Sequence, residues 1–373
     1  MHMTAGSPAA PLLTLGVEEE FLLLDPLTGE NFPVAEKVLA ALADDVRGQS
    51  RLEVRHSMVE MVTGVCTGLA ELRAQLGGLR RAAAGSAAAT GAALVAVAAT
   101  PIADPQRTVT DNPRFQAIGR HYGPIAHDPA VCGCHVHVGI PERELAVRVC
   151  DHLRVWLPVI QALTVNSPLF SGADTGHASW RSMQLERWPG LGPSPLLGSS
   201  AGYDRTVRTM VASGVMLDES MVLWYARPSA AWPTVEVRVG DVCLTVDDTV
   251  LVAGLIRALV AAVVEDIATG LPAPDVPDHV VRAAHWNAAH SGLGHTLLDP
   301  VRGSARPAWD LVDELVGRVT PALRRHGDLA EVHAGLDRLR RDGTGAARQR
   351  RILQRTGDIP AALAELARLT VDG

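Results

Sequence analysis

Gly16-Val17-Glu18-Glu19-Glu20-Phe21-Leu22-Leu23-Leu24-Asp25 decides how the rest of the chain is read. Residues 12–15 before the acidic triplet and 21–24 after it are apolar, so three carboxylates interrupt what otherwise reads as a buried β-strand. Side chains alternate faces along a strand, which sends Glu18 and Glu20 one way and Glu19 the other. Two carboxylates on one face among core residues repel each other and lose solvation unless something positive lies between them. A divalent cation with oxygen ligands is the natural partner. The alternative is an edge strand whose acidic face is merely solvated.

Composition narrows the classes. A chain of 373 residues, 47% hydrophobic and 20% charged, has the balance of a soluble globular protein of one large domain or two. Its net charge of -7 argues against a nucleic-acid binder. The Arg-rich stretch 338–355 reads as the solvated face of helices, with nucleic-acid contact as the alternative. Lys37 is the sole lysine among 34 basic side chains and follows Glu36, so no Gly-Lys-Ser/Thr phosphate loop exists. Any phosphate must then be held by arginine, backbone amides or metal. Cys66, Cys132, Cys134, Cys150 and Cys243 are scattered, with no secretory signal, and suggest structural thiols in a reducing cytoplasm. No uninterrupted apolar run of about 18 residues suggests a membrane span. Residues 1–12 read as a loose or appended terminus.

Along the chain, a turn at 26–33 and a helix at 34–43 follow the first strand. Met58-Val-Glu-Met-Val-Thr63 reads as a strand, and Thr67 as the cap of a long helix to about residue 89. A small-residue strand is expected at 93–99. Residues 101–129 form a long Pro-rich loop with one short helix near 114–121, the kind of segment that covers a site. A strand at 132–140 precedes one continuous helix from Pro141 to about 165. Residues 166–200 are irregular, 204–213 helical, 221–225 and 233–242 strands, and 247–269 a long apolar helix. From 276 onward the pattern is helical only. Without regular βαβ alternation, this order predicts an α+β fold: a mostly antiparallel sheet, one face lining a site, helices on the other.

Three further stretches carry chemistry. In Gly133-Cys-His-Val-His-Val-Gly139, His135 and His137 share a face, suiting metal ligation, phosphate contact or a structural pair. In Pro233-Thr-Val-Glu-Val-Arg-Val-Gly-Asp241, Thr234, Glu236 and Arg238 share the polar face. Glu236 and Arg238 are either a plain ion pair or a metal ligand beside a phosphate-facing arginine. Glu53 and Glu60, seven residues apart among apolar neighbours, make Glu60 a candidate inward carboxylate. Acids on three strands with a histidine and an arginine describe hard cations gripping a polyphosphate: metal-assisted phosphoryl transfer, substrate open.

Taken in order, Gly16-Val-Glu-Glu-Glu20, Ser57-Met-Val-Glu60-Met-Val-Thr63 and Cys134-His-Val-His-Val-Gly139 form the first half of a series. Asn166-Ser-Pro168, Asp174-Thr-Gly176, Ser179-Trp-Arg181, Arg227-Pro-Ser229, Pro233-Thr-Val-Glu-Val-Arg238 and Asp241-Val-Cys243 complete it. The chain resembles the bacterial glutamate–cysteine ligase type 2 family, also called YbdK-like carboxylate–amine ligases, from about residue 13 to 351. The resemblance implies one catalytic domain over 13–373 with a helical C-terminal part from 276, built on a curved antiparallel sheet of glutamine-synthetase-like type. It implies ATP with Mg²⁺ (or Mn²⁺), activation of a glutamate γ-carboxylate as acyl phosphate, and attack by an amine, cysteine by default. Glu18, Glu20, Glu60, His135 and Glu236 match the metal ligands, with Glu53 added by its spacing before Glu60. Arg238, Glu60 and Glu236 carry the catalytic roles. Arg181, His137, Arg227, Thr234 and Tyr225 fall on the substrate or phosphate side. Partners are small molecules, without nucleic acid or membrane; a homo-oligomer is compatible. Two positions depart from the family's pattern: Tyr225 stands where many relatives carry Asp, and His177 where they often carry Tyr.

Two other readings stay open from the residues: a metal-dependent amidohydrolase built on His135, His137 and the carboxylates, and a ligase-like fold without catalysis. Within ligase chemistry, a different acid or amine is the alternative to glutamate and cysteine.

Overall fold

The protein is described by a computed structural model covering residues 12–107 and 109–373. Residues 1–11, most of the expected loose terminus, lie outside the described residues.

Seven strands form the main sheet: β1 (Leu15–Leu24), β2 (Ser50–Leu52), β3 (Met58–Val62), β4 (Ala93–Val95), β5 (Gly133–Gly139), β6 (Ala226–Pro228) and β7 (Thr234–Asp241). Their order is β6-β7-β5-β1-β3-β2, with β4 pairing the far end of β1. Every pairing in this sheet is antiparallel. The acidic strand is therefore central, with β3 along one edge and β5 then β4 along the other. The solvated-edge alternative is excluded.

Alternation packs the second face of the sheet. Val17, Cys134, Val136, Val138, Val235, Val237 and Val239 are buried together with Leu69, Leu72 and Leu76 of the Leu69–Ala89 helix and with the Val246–Ala268 helix. Phe21, Leu23 and Leu94 join a second cluster with Leu79, Ala83 and the C-terminal Ile359–Asp372 helix through Ala362, Leu363 and Leu366. An antiparallel sheet backed by helices, with a helical C-terminal part, is the α+β architecture the sequence predicts.

Local departures have local causes. The helix expected from Pro141 to 165 is two helices, Arg143–Leu153 and Leu157–Thr164; Pro158 stands in the first turn of the second, where a missing N–H is harmless but a continuing helix is not. Thr67 does not cap the Leu69–Ala89 helix: Gly68 is the cap residue, and Glu71 accepts from the Thr67 amide and hydroxyl instead. The 93–99 strand keeps only Val95 and the two residues before it. The helix near 204 starts at Ser200, capped by the Ser199 hydroxyl. The all-helical expectation beyond 276 fails at a hairpin, Thr296–Asp299 with Ser304–Pro307. Its turn is closed by Asp299, whose carboxylate accepts from the amides of Val301 and Arg302, and by Gly303 at φ +63°. The arginines of 338–355 are not simply a solvated face: Arg338 and Arg348 pair with Asp248, Arg340 with Asp313, Arg350 with Asp174 and Arg355 with Glu365. No helix among the described residues is long and apolar enough to cross a membrane. All five cysteines are buried free thiols.

Candidate active site

Register assembles the site. Glu20 lies opposite Glu60, Glu18 opposite His135, His137 opposite Glu236, and Glu236 opposite Arg227. Directly opposed residues share a face, as do residues two apart on a strand, so one face of the sheet carries all of them on neighbouring rows. Glu19 points to the other face, where it is buried against Arg80.

The distances define three overlapping donor groups. Glu18, Glu60 and His135 form one; Glu18, His137 and Glu236 another; Glu20, Glu53 and Glu60 a third; within each the ligand atoms lie within 4.8 Å of one another. His135 Nδ1 is 3.2 Å from Glu18 Oε2, and His137 Nε2 is 3.3 Å from Glu18 Oε1. The Thr234 hydroxyl stands 2.9 Å from His137 Nδ1 and fixes that ring. The buried His137 Nε2 has no hydrogen-bond partner. Arg227 grips Glu236 through Nε at 2.9 Å and Nη2 at 3.3 Å, and Arg238 pairs with the same carboxylate. Arg238 Nη1 also comes within 3.4 Å of His135 Nδ1. The Gly133 amide donates to Glu20 at 2.5 Å.

Charge is unbalanced here. Of Glu18, Glu20, Glu53, Glu60 and Glu236, Glu236 is the one that pairs with arginines, Arg238 and Arg227, among the described residues. Burial pushes the Glu53 carboxyl up to about 8, with the charge of Glu20 adding to it. Burial, then Glu53, Glu18 and Glu20, drives Glu60 well above the carboxylate range. Burial also opposes ionisation of Glu236, but Arg238 and Arg227 prevail and bring it down to about 2. Glu18 behaves likewise: burial is outweighed by the imidazoles of His135 and His137 beside it, and its pKa is lowered. Burial and Arg238 depress the His135 pKa, leaving a neutral ring whose lone pair is free to ligate. Carboxyls whose pKa is raised by burial and by one another's charge, beside an orphaned imidazole nitrogen, fit hard divalent cations; the donor set is mostly oxygen, as Mg²⁺ prefers.

A cavity of about 290 Å³ opens on this face. Glu20, Glu53, His135, Arg181 and Arg238 line its polar end; Phe115, Ile118, Trp188, Leu191, Met221 and Leu223 line the other. Both the 101–129 loop, with its Pro113–Tyr122 helix, and the 166–200 segment contribute walls.

Every residue expected in the site is on this face or at its rim, with changed settings for some. Arg181 is on the short Trp180–Leu185 helix, buried, and not on a loose loop. Tyr225 is buried and lines the cavity, its ring 4.6 Å from that of His285. His137 groups with carboxylates, and Arg227 with Glu236. His177 is not among the cavity-lining residues; it packs against Trp180, Trp286 and His290. Arg55 went unnoticed in the sequence: it lines the cavity and ties down the covering loop by donating to the carbonyls of Asp128 and Ala126. Nothing in its spacing marks it, because its partners are 71 and 73 residues away.

The profile of the glutamate–cysteine ligase family 2 (GCS2) matches residues 14–366. A Salinispora arenicola protein provisionally named glutamate–cysteine ligase 2 is 62% identical over 364 residues, covering 97% of this chain and 96% of its own. A Nocardia farcinica protein provisionally named glutamate–cysteine ligase 2-1 is 46% identical over 361 residues, covering 96% and 94%. Among solved structures, the glutamate–cysteine ligase of Francisella tularensis in complex with AMP superposes with a TM-score of 0.70 at 11% identity, covering 95% of this chain and 87% of its own. The bifunctional glutathione synthetase of Pasteurella multocida gives 0.65 at 14% identity; this chain spans 52% of its length, and 95% of this chain is covered. At such identities the two structures show a shared fold. The family match and the close relatives show more: the chain belongs to glutamate–cysteine ligase family 2 and is an ATP-dependent carboxylate–amine ligase, an enzyme that forms a C–N bond.

Proposed function

We infer that the enzyme activates the γ-carboxylate of glutamate with ATP and joins it to an amine, L-cysteine first, giving γ-glutamylcysteine. A carboxylate is a poor electrophile because its charge repels a nucleophile. Attack of a carboxylate oxygen on the γ-phosphorus, with the bond to the β,γ-bridging oxygen breaking, releases ADP and leaves an acyl phosphate. The amine nitrogen then attacks the acyl carbon, the C–O bond to phosphate breaks, and the amine loses its proton as phosphate departs.

Roles follow from position. Glu18, Glu20, Glu53, Glu60, His135 and Glu236 would hold Mg²⁺, with His137 on the rim of the same set. Bound there, Mg²⁺ supplies positive charge to the polyphosphate in a site otherwise too acidic to accept it. Arg238, oriented by Glu236, presents a planar fork to the transferring phosphoryl group. Arg227 keeps Glu236 ionised. Tyr225 and the apolar wall bound the space left for the substrates. Residues 13–373 act in this reading as one catalytic domain.

The observation that carries the proposal is the shared face of Glu60, Glu20, Glu18, His135, His137 and Glu236 with Arg238 beside it. The test is ADP release from ATP and Mg²⁺ with L-glutamate, with and without L-cysteine, then with a panel of other amines and acids. Strong stimulation by cysteine, with the dipeptide identified by mass, is the expected result. Glutamate-dependent release that cysteine does not accelerate would transfer the proposal to another amine. Amide hydrolysis without ATP would sink it.

A further inference from the structure

The pairing of β7 with β5 slips between Val237 and Gly240, and Arg238 sits inside that irregularity. On the β6 side the Arg238 amide still donates to the Tyr225 carbonyl at 2.8 Å, but on the β5 side the slipped ladder does not hold the bulge, and other contacts do so there. The carbonyls of Arg238 and Val239 accept from Arg181 Nη2 at 3.5 Å and Nη1 at 3.4 Å. Arg181 in turn faces the buried carboxylate of Asp241, with Nη1 3.8 Å from Oδ1. That carboxylate is 1% exposed and well held: Oδ2 accepts from the Asn166 amide at 2.8 Å and the Ser167 hydroxyl at 2.7 Å, and Oδ1 from the Ser179 hydroxyl at 2.9 Å. Ser167 Oγ also accepts from the Arg181 amide at 3.1 Å, and Ser179 caps the helix that carries Arg181. Gly133 leaves room for the guanidinium: a Cβ there would lie 2.5 Å from Arg181 Nη2 and 3.1 Å from His135 Nε2. Asp241 belongs to none of the three donor groups.

We propose that Asp241 is a positioning residue for ligation: it fixes Arg181 against the bulged backbone and so sets where the Arg238 guanidinium stands. The proposal rests on the phosphate role of Arg238 given above. A buried charge pair keeps its orienting force because little water screens it. A shift of about 1 Å at a phosphoryl-facing group is enough to lose on the order of a hundredfold in rate.

The test is a double-mutant cycle in the full-length enzyme: Asp241→Asn, Arg181→Gln and the pair together, read as kcat for ADP release, with Mn²⁺ binding measured on each. Each single variant is expected to lose roughly ten- to a hundredfold in kcat. The double variant is expected to be no worse than the worse single, with Mn²⁺ binding unchanged throughout. Multiplicative losses, or parental kcat in Asp241→Asn, overturn the proposal. A purely structural role would lower the thermal midpoint and leave the kcat of the folded fraction alone. Should Asp241→Asn fail to fold, Ser167→Ala and Ser179→Ala each loosen the carboxylate without removing its charge. Each is then expected to lower kcat about threefold, about 0.6 kcal/mol, and an unchanged kcat in both overturns the proposal. If the parent turns over no acid and amine, the substrate reading fails separately; the cycle is then read on the Kd of ATP with Mn²⁺, where non-additive weakening supports the coupling and additive weakening refutes it.

Discussion

The two faces of β1 present the same side chain in opposite circumstances. On one face Glu19 meets Arg80, both essentially without solvent exposure, through contacts of 2.5 and 2.9 Å. Arg80 also donates to the carbonyls of Leu244, Thr370 and Cys243, and Thr249 donates to Glu19 at 2.6 Å. One carboxylate meets one guanidinium, and every neighbour is satisfied. On the other face, one residue away in either direction, five carboxylates crowd together, and the arginine pairs of Arg227 and Arg238 both fall on Glu236. The first arrangement is a clasp joining the sheet, the Leu69–Ala89 helix and the C-terminal helix. The second is a crowd of like charges that raised carboxyl pKa values relieve in the metal-free protein and that an added cation would relieve instead. Burial alone does not separate structure from function in an acidic triplet; charge balance does.

Breaking the clasp has the largest consequence for stability. Glu19→Gln leaves Arg80 buried without its counter-charge and is expected to cost about 3–5 kcal/mol, seen in denaturant unfolding. An unfolding midpoint equal to the parent's contradicts the clasp. Across the strand the same substitution acts on turnover. Glu60→Gln and Glu236→Gln are each expected to lose at least about a thousandfold in kcat while the fold is retained. Near-parental rates in either variant contradict the cation reading. Arg238→Lys is expected to lose about a hundredfold, because an ammonium cannot reproduce a planar fork; equal turnover removes its phosphate role.

A smaller effect concerns pH. Glu53 is raised from 4.5 to about 8 in the folded metal-free protein, so between those values the native state holds a proton that the unfolded chain has released. Its stabilising contribution is fully present below 4.5 and is lost as pH rises through 8. Metal-free protein should therefore melt at lower temperature as pH climbs across that window. Mg²⁺ displaces the proton, so its thermal stabilisation should be larger at pH 8 than at pH 6. Equal Mg²⁺ shifts at both values contradict the assignment of Glu53 to the cation set.

The acidic face of the sheet was legible in the sequence because a period of two is all it needed. Alternation assigned Glu18 and Glu20, His135 and His137, and Glu236 and Arg238 to their sides, and the strands lie where those patterns end. Register was not legible. Nothing local says that Glu20 opposes Glu60 or that His137 opposes Glu236, since these pairings join segments 40 and 99 residues apart in the numbering. The partner of Glu19 was hidden for the same reason: Arg80 sits among other arginines of an Ala/Leu-rich helix, and only packing selects it. Arg55 holds the covering segment from the turn between β2 and β3, and the apolar wall of Phe115 and Trp188 comes from the covering segments themselves; tertiary contact sets both. The hairpin after 296 escaped because its strands are four residues each, and its turn is stabilised by Asp299 side-chain bonds that leave little trace in periodicity.

The most direct test is a Mn²⁺ titration, followed by paramagnetic resonance, of the parent beside Glu60→Gln and Glu19→Gln, each confirmed folded. More than one Mn²⁺ per chain in the parent and fewer in Glu60→Gln, with Glu19→Gln matching the parent, is the result expected if the first face is a cation site and the second a clasp. The same Mn²⁺ binding in Glu60→Gln as in the parent would contradict it.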